Sequence, residues 1–198
     1  MTIKKIDPSF ALLSIMIIVV AAIRIPNAAG ISPLANFTPI GAMGLFGGVY
    51  FSKNWKMFLF PMLTLLVSDL AISTFIFKGQ YGVLYGGWYW IYAIFILITL
   101  MGKFLIKKVN VKNVLLTGIG AALVHWIIAD FLVWFGGGTD LRFMLPLSRD
   151  WEGLQQCYVQ GFPFMRNFMA GTLLYSAVLF GGYELIARSK TFTQFSVK

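Results

Sequence analysis

Apolar residues run along this chain in blocks, and polar residues are confined to short breaks between them. The blocks predict helices over about Phe10–Ile25, Phe37–Phe51, Met57–Phe77, Trp88–Leu105, Val114–Trp134 and Phe164–Ile186. Blocks of this length match a bilayer core about 30 Å thick at a helical rise of about 1.5 Å per residue. Their breaks read as turns: Arg24-Ile25-Pro26 closes the first block, Lys53 and Lys56 end the second, and Gly79–Gly87 follows the third. Lys107–Lys112 follows the fourth. The longest break, Phe135–Pro163, opens on three glycines and carries Asp140, Arg142, Arg149, Asp150 and Glu152. Pro61 falls in the first turn of the third predicted span, where a missing N–H costs little.

Composition agrees with a membrane domain and leaves no room for another. Of 198 residues, 59% are hydrophobic and only 12% charged, against roughly 25% charged in soluble domains. The expected fold is therefore all-α: a single polytopic membrane domain over 1–198 with six transmembrane helices. The net charge of +9 does not point to nucleic acid, because the basic residues sit in small clusters beside apolar blocks, as topology signals do. Counting Lys and Arg by side gives eleven for the two termini with the second and fourth breaks, against five opposite. Both termini are then cytoplasmic, in a bacterial inner membrane. A single cysteine, Cys157, and a single histidine, His125, predict no internal disulfide, no metal site and no cofactor.

Charge inside hydrocarbon costs ~2.5–3.5 kcal/mol on insertion scales, so each polar residue in a span is informative. Asp69 lies about twelve residues into the third span, or roughly 18 Å at helical rise. Arg24, His125, Asp130, Arg166 and Asn167 fall at a similar level in the first, fifth and sixth spans. Five residues separate His125 from Asp130, about 140° around a helix, so one of them faces a neighbouring helix. Six aromatics occur between Tyr81 and Tyr92, more than an interfacial belt requires. Tyr81, Tyr85, Trp88 and Trp151 are the candidate packing groups of a ligand pocket. Gly44 and Gly48 provide the small-residue spacing of a close helix contact. Asn36-Phe37-Thr38 fits a glycosylation sequon but lies beside the membrane.

Several of these features occur in a recognisable order. Arg24-Ile25-Pro26 leads to Asn36-Phe37-Thr38-Pro39-Ile40-Gly41-Ala42-Met43-Gly44-Leu45-Phe46-Gly47-Gly48, then to a basic turn and Ser68-Asp69-Leu70. Phe162–Asn167 and Phe180–Glu184 complete the pattern. The chain resembles the substrate-binding S components of energy-coupling-factor vitamin transporters, and more closely an uncharacterised S-component-like membrane family of Bacteroidetes. The resemblance implies a six-helix, non-enzymatic protein that binds a small vitamin-like nutrient in an outward pocket for uptake. The expected substrate contacts are Arg24, Asn36, Asp69, Tyr81, Tyr85, Trp88, His125, Asp130, Trp151, Arg166 and Asn167. It further implies a transmembrane energising subunit with ATPases as partner. Span one carries Ala21-Ala22 in place of the small residues four apart that often serve such docking, so a solitary carrier stays open. The alternative to binding is a structural or assembly subunit whose polar residues hold other helices.

Overall fold

A computed structural model describes residues 3, 5–7, 10–28, 34–80 and 82–188. It contains α1 (Phe10–Ala28), α2 (Ile40–Tyr50), α3 (Asn54–Ala71), α4 (Trp88–Leu105), α5 (Val111–Phe135) and α6 (Trp151–Arg188). A two-stranded hairpin, β1 (Thr139–Asp140) and β2 (Leu145–Pro146), joins α5 to α6. Four helical stretches, Asn54–Ile76, Trp88–Leu105, Val111–Phe135 and Trp151–Ala187, are long and apolar enough to cross a membrane. Their outward faces carry exposed Val67, Leu97, Phe104, Leu116, Ile127, Leu174 and Val178. Water would oppose so broad an apolar surface, whereas lipid accepts it. The chain is a helical membrane protein.

The packing is organised around α2. All eleven of its residues are buried, and at ~1.5 Å per residue it is too short to cross a bilayer core alone. It sits among α3, α4 and α6 as an internal helix. Glycines let it approach α4 backbone to backbone: a Cβ on Gly48 would lie 2.2 Å from the Thr99 carbonyl oxygen, and one on Gly102 2.4 Å from that of Leu45. At its C-terminal end Phe46 and Tyr50 pack against Phe180 and Tyr183. Tyr50 donates to Glu184 Oε1 at 2.6 Å, which answers the polarity of that carboxylate. Thr64, Ser68 and Thr99 turn their hydroxyls onto carbonyls of the preceding turn, so small polar residues enter helix contacts without orphaned donors.

Contacts distinguish the two ends of the bundle. At one end Asp7 pairs with Lys53 and Lys56, Lys5 donates to the Val49 carbonyl, and Lys103 donates to Asn54 at 3.1 Å. At the other, Arg24 of α1 reaches α3.

Several boundaries differ from the sequence expectation. The second helix runs from Ile40 to Tyr50 instead of Phe37 to Phe51, because residues 34–39 form a turn with Asn36 in the left-handed region at φ 66°. The third helix starts at Asn54, which puts Pro61 in its interior rather than its first turn. The largest correction concerns the sixth helix, expected from Phe164. It begins at Trp151 and passes through Pro163. Asp150 starts it by accepting from the Gly153 N–H at 2.8 Å, while Ser148 Oγ donates to the same carboxylate at 2.7 Å. Such a side-chain cap replaces missing helical partners. Pro163 removes one interior bond without ending the helix, since α5 packs along it on both sides of that point, Asp130 at Gly161 and Gly118 at Leu173.

Candidate functional site

Near its C-terminal end α3 changes register. Ile72–Ile76 form a π-helical turn, a local widening frequent at functional sites. Ile72 and Ser73 on this turn line a cavity of about 620 Å³. Arg24 from α1, Ile40 from α2, Leu65 and Asp69 from α3, Ile91 and Phe95 from α4, His125 from α5 and Phe168 from α6 complete its deeper walls. The turn before α2 contributes Ala35–Thr38, and the loop before α4 contributes Tyr85. The cavity is at the end away from the lysine-bearing turns.

The two charged residues that line it neutralise each other. Arg24 Nη2 lies 2.8 Å from Asp69 Oδ1, with side-chain exposures of 19% and 2%. Arg24 also donates to Ser68 Oγ, and Tyr92 Oη donates to Asp69 Oδ2 at 3.2 Å. Three helices thus meet at one carboxylate. Arg24 retains N–H groups beyond these two contacts, because a guanidinium has five.

Aromatic rings share the remaining wall with aliphatic side chains. His125 lies 4.5 Å from Phe168, tilted by 32°, and 5.5 Å from Phe95. Phe37 packs on Tyr175 at 5.8 Å. Tyr85 sits in a loop bounded by Gly82 and Gly87, both at positive φ, where glycine carries no strain. Ser73 Oγ donates to the Gly82 carbonyl at 2.5 Å and fastens that loop to the π turn. Burial, with the Asp69 charge second, pushes the Tyr85 phenol up, so it remains a hydroxyl at neutral pH.

The turn before α2 is held by α6. Asn167 Nδ2 donates to the Ala35 carbonyl at 2.9 Å. A Cβ on Gly171 would stand 2.8 Å from the Thr38 backbone nitrogen, so the turn lies directly on the helix backbone.

Of the residues singled out in the sequence, Arg24, Asn36, Asp69, Tyr85 and His125 come together on the cavity. Asn167 positions the turn that bears Asn36. The others lie elsewhere. Asp130 faces α6 at Gly161, where a Cβ would be 1.7 Å from its Oδ2. That oxygen and the Trp126 indole N–H have no well-formed hydrogen bond among the described residues. Arg166 is exposed, and Trp151 is 70% exposed at the start of α6. Trp88 packs edge-on against Tyr92 at 5.1 Å rather than facing the cavity. Tyr81 lies outside the described residues.

The lining residues not anticipated include Ser73, Phe77, Ile91, Phe95 and Phe168. Ile91 and Phe95 are four apart and share a helix face, a signal submerged in an entirely apolar block. Among the described residues no group of three or more His, Cys, Asp or Glu side chains could hold a metal ion.

The arrangement defines a class: a helical membrane protein with an aromatic-walled cavity at one end. Residues 4–195 match the model of a family of unknown function (DUF6580), and the chain belongs to that family. Neither the curated proteins nor the solved structures contain a match to it.

Proposed function

We propose that this protein is a membrane-embedded binding protein for uptake of a small nutrient, similar in role to the S components of energy-coupling-factor transporters. In this reading the chain passes across a bacterial inner membrane six times with both termini in the cytoplasm, the short α2 making its pass inside the bundle and shielded from lipid by its neighbours. The cavity then faces outward and opens to the side from which a nutrient arrives. Binding is non-enzymatic, and release follows reorientation in the membrane. An energising subunit with ATPases is the implied partner, and a solitary carrier the alternative.

One observation carries the reading. A cavity of about 620 Å³ draws walls from all six helices and two loops, a volume within the usual range for small-molecule sites. A purely structural subunit gains nothing from such a void, because each lost contact between packed groups reduces stability. The ion pair supports the wall, while aromatic faces offer stacking area of about 0.5–1.5 kcal/mol per ring pair beyond burial.

Native mass spectrometry of protein released from membranes tests this. The expected result is a small-molecule adduct on the wild type that Ile91→Trp removes, since the larger ring occupies the cavity. A wild type free of adducts after exposure to a bacterial low-mass extract, or an equal adduct on Ile91→Trp, counts against the proposal.

A further inference from the structure

The charges around the cavity restrict what it accepts. Among the described residues Arg24 and Asp69 are the charged residues of the lining, and they are paired with each other. Asp69 is nearly closed to the cavity: its side chain is 2% exposed and both oxygens already accept, one from Arg24 and one from Tyr92. Arg24 is more open, at 19%, and keeps donors for a ligand. Among the described residues no carboxylate lies within ion-pair distance of His125, and Phe95 and Phe168 flank its ring. An imidazole is largely uncharged at neutral pH by its ordinary ionisation. The other polar side chains of the described lining are neutral: Asn36, Thr38, Ser73 and the Tyr85 hydroxyl.

A charged ligand would therefore enter a low-dielectric space with no uncompensated partner. Its desolvation would go unrepaid, or it would have to break the Arg24–Asp69 pair and strand one buried charge. An uncharged ligand meets neither cost. From the structure we infer that the cavity selects a planar compound of no net charge, with carbonyl-type acceptors along one edge. The acceptors take hydrogen bonds from the free Arg24 N–H groups and from Asn36. The rings of Phe37, Phe77, Phe95 and Phe168 cover the flat faces. This selection rests on the cavity being a ligand site, and it goes further by excluding carboxylate, phosphate and ammonium compounds as preferred cargo.

The test uses the low-mass fraction of a bacterial cell extract as probe, applied to the full chain in lipid nanodiscs. After washing, retained compounds are released by denaturation. Their mass is read by mass spectrometry, and their net charge by electrophoretic mobility at pH 7. The wild type is expected to retain an electrophoretically neutral compound. Asp69→Asn, which leaves Arg24 uncompensated, is expected to enrich anions, and Arg24→Gln to enrich cations. If either variant fails to fold, the wild-type measurement still decides. Retention of a charged compound by the wild type overturns the charge selection while leaving the binding function in place. Retention of nothing overturns the binding function itself. Unchanged charge preference in two folded variants shows that the Arg24–Asp69 pair does not set the selection, and also overturns it.

Discussion

Asp69→Ala is expected to destabilise the folded protein by about 3–5 kcal/mol, the range for removing one partner of a buried ion pair. The carboxylate joins Arg24 of α1 to α3 and accepts from Tyr92 of α4. Its loss leaves the Arg24 guanidinium, only 19% exposed, with Ser68 as its remaining contact in this group. The penalty comes from that stranded charge more than from the missing bond, as for any buried polar group left unpaired. Replacing both partners should therefore cost less than the sum of the two single changes. Thermal unfolding in detergent of Asp69→Ala, Arg24→Ala and the double variant measures the coupling. A double variant whose loss equals the sum would show the two residues acting independently.

A comparable loss is expected where α2 meets α4. Gly48→Ala introduces a methyl group 2.2 Å from the Thr99 carbonyl oxygen and 2.8 Å from the Lys103 nitrogen. Both are backbone atoms, so no rotamer change relieves the overlap and the helices must separate. Ordinary overpacking costs about 1–3 kcal/mol, and this position should reach or pass the upper end. Gly44→Ala should be milder, because its nearest atom is Thr99 Oγ1 at 3.1 Å. Gly181→Ala meets nothing within 4 Å and should be neutral or slightly stabilising, given the helix preference of alanine. The order Gly48, Gly44, Gly181 in melting temperature checks the geometry. Equal melting temperatures for Gly48→Ala and Gly181→Ala would mean that α2 and α4 are not in backbone contact.

What the sequence made legible follows from how polar groups behave in lipid. Arg24, Asp69 and His125 stood out because an ionisable side chain inside an apolar block needs a partner or a cavity. Depth along the helices then placed them near one another. The separation of His125 from Asp130 followed from helical phase: one lines the cavity and the other packs against Gly161. The start of α6 was hidden because residues 151–163 mix Glu152 and three glutamines with two glycines and end in proline, a pattern that reads as loop. Only the Ser148–Asp150 cap reveals it. The shortness of α2 was hidden for a different reason. Its apolar block, Phe37–Phe51, reads as a short span, yet tertiary burial on every side makes it internal. Among the aromatics, sequence alone could not separate Tyr85, which lines the cavity, from Trp88, which packs on Tyr92. Tyr85 lies in the Gly-rich loop and Trp88 opens α4 three residues later, and spacing along the chain does not give the direction of either ring.

The most direct test of an outward-facing cavity is the labelling of cysteines placed on it and opposite it. With Cys157 replaced by alanine, Ser73→Cys puts a thiol on the cavity wall, and Asn110→Cys puts one at the α5 cap. An impermeant thiol reagent added to intact cells should label position 73 and leave position 110 untouched until the membrane is opened. Prior exposure to the low-mass extract should slow labelling at 73. Labelling at 110 from outside, with 73 protected until the membrane is opened, would contradict an outward-facing cavity.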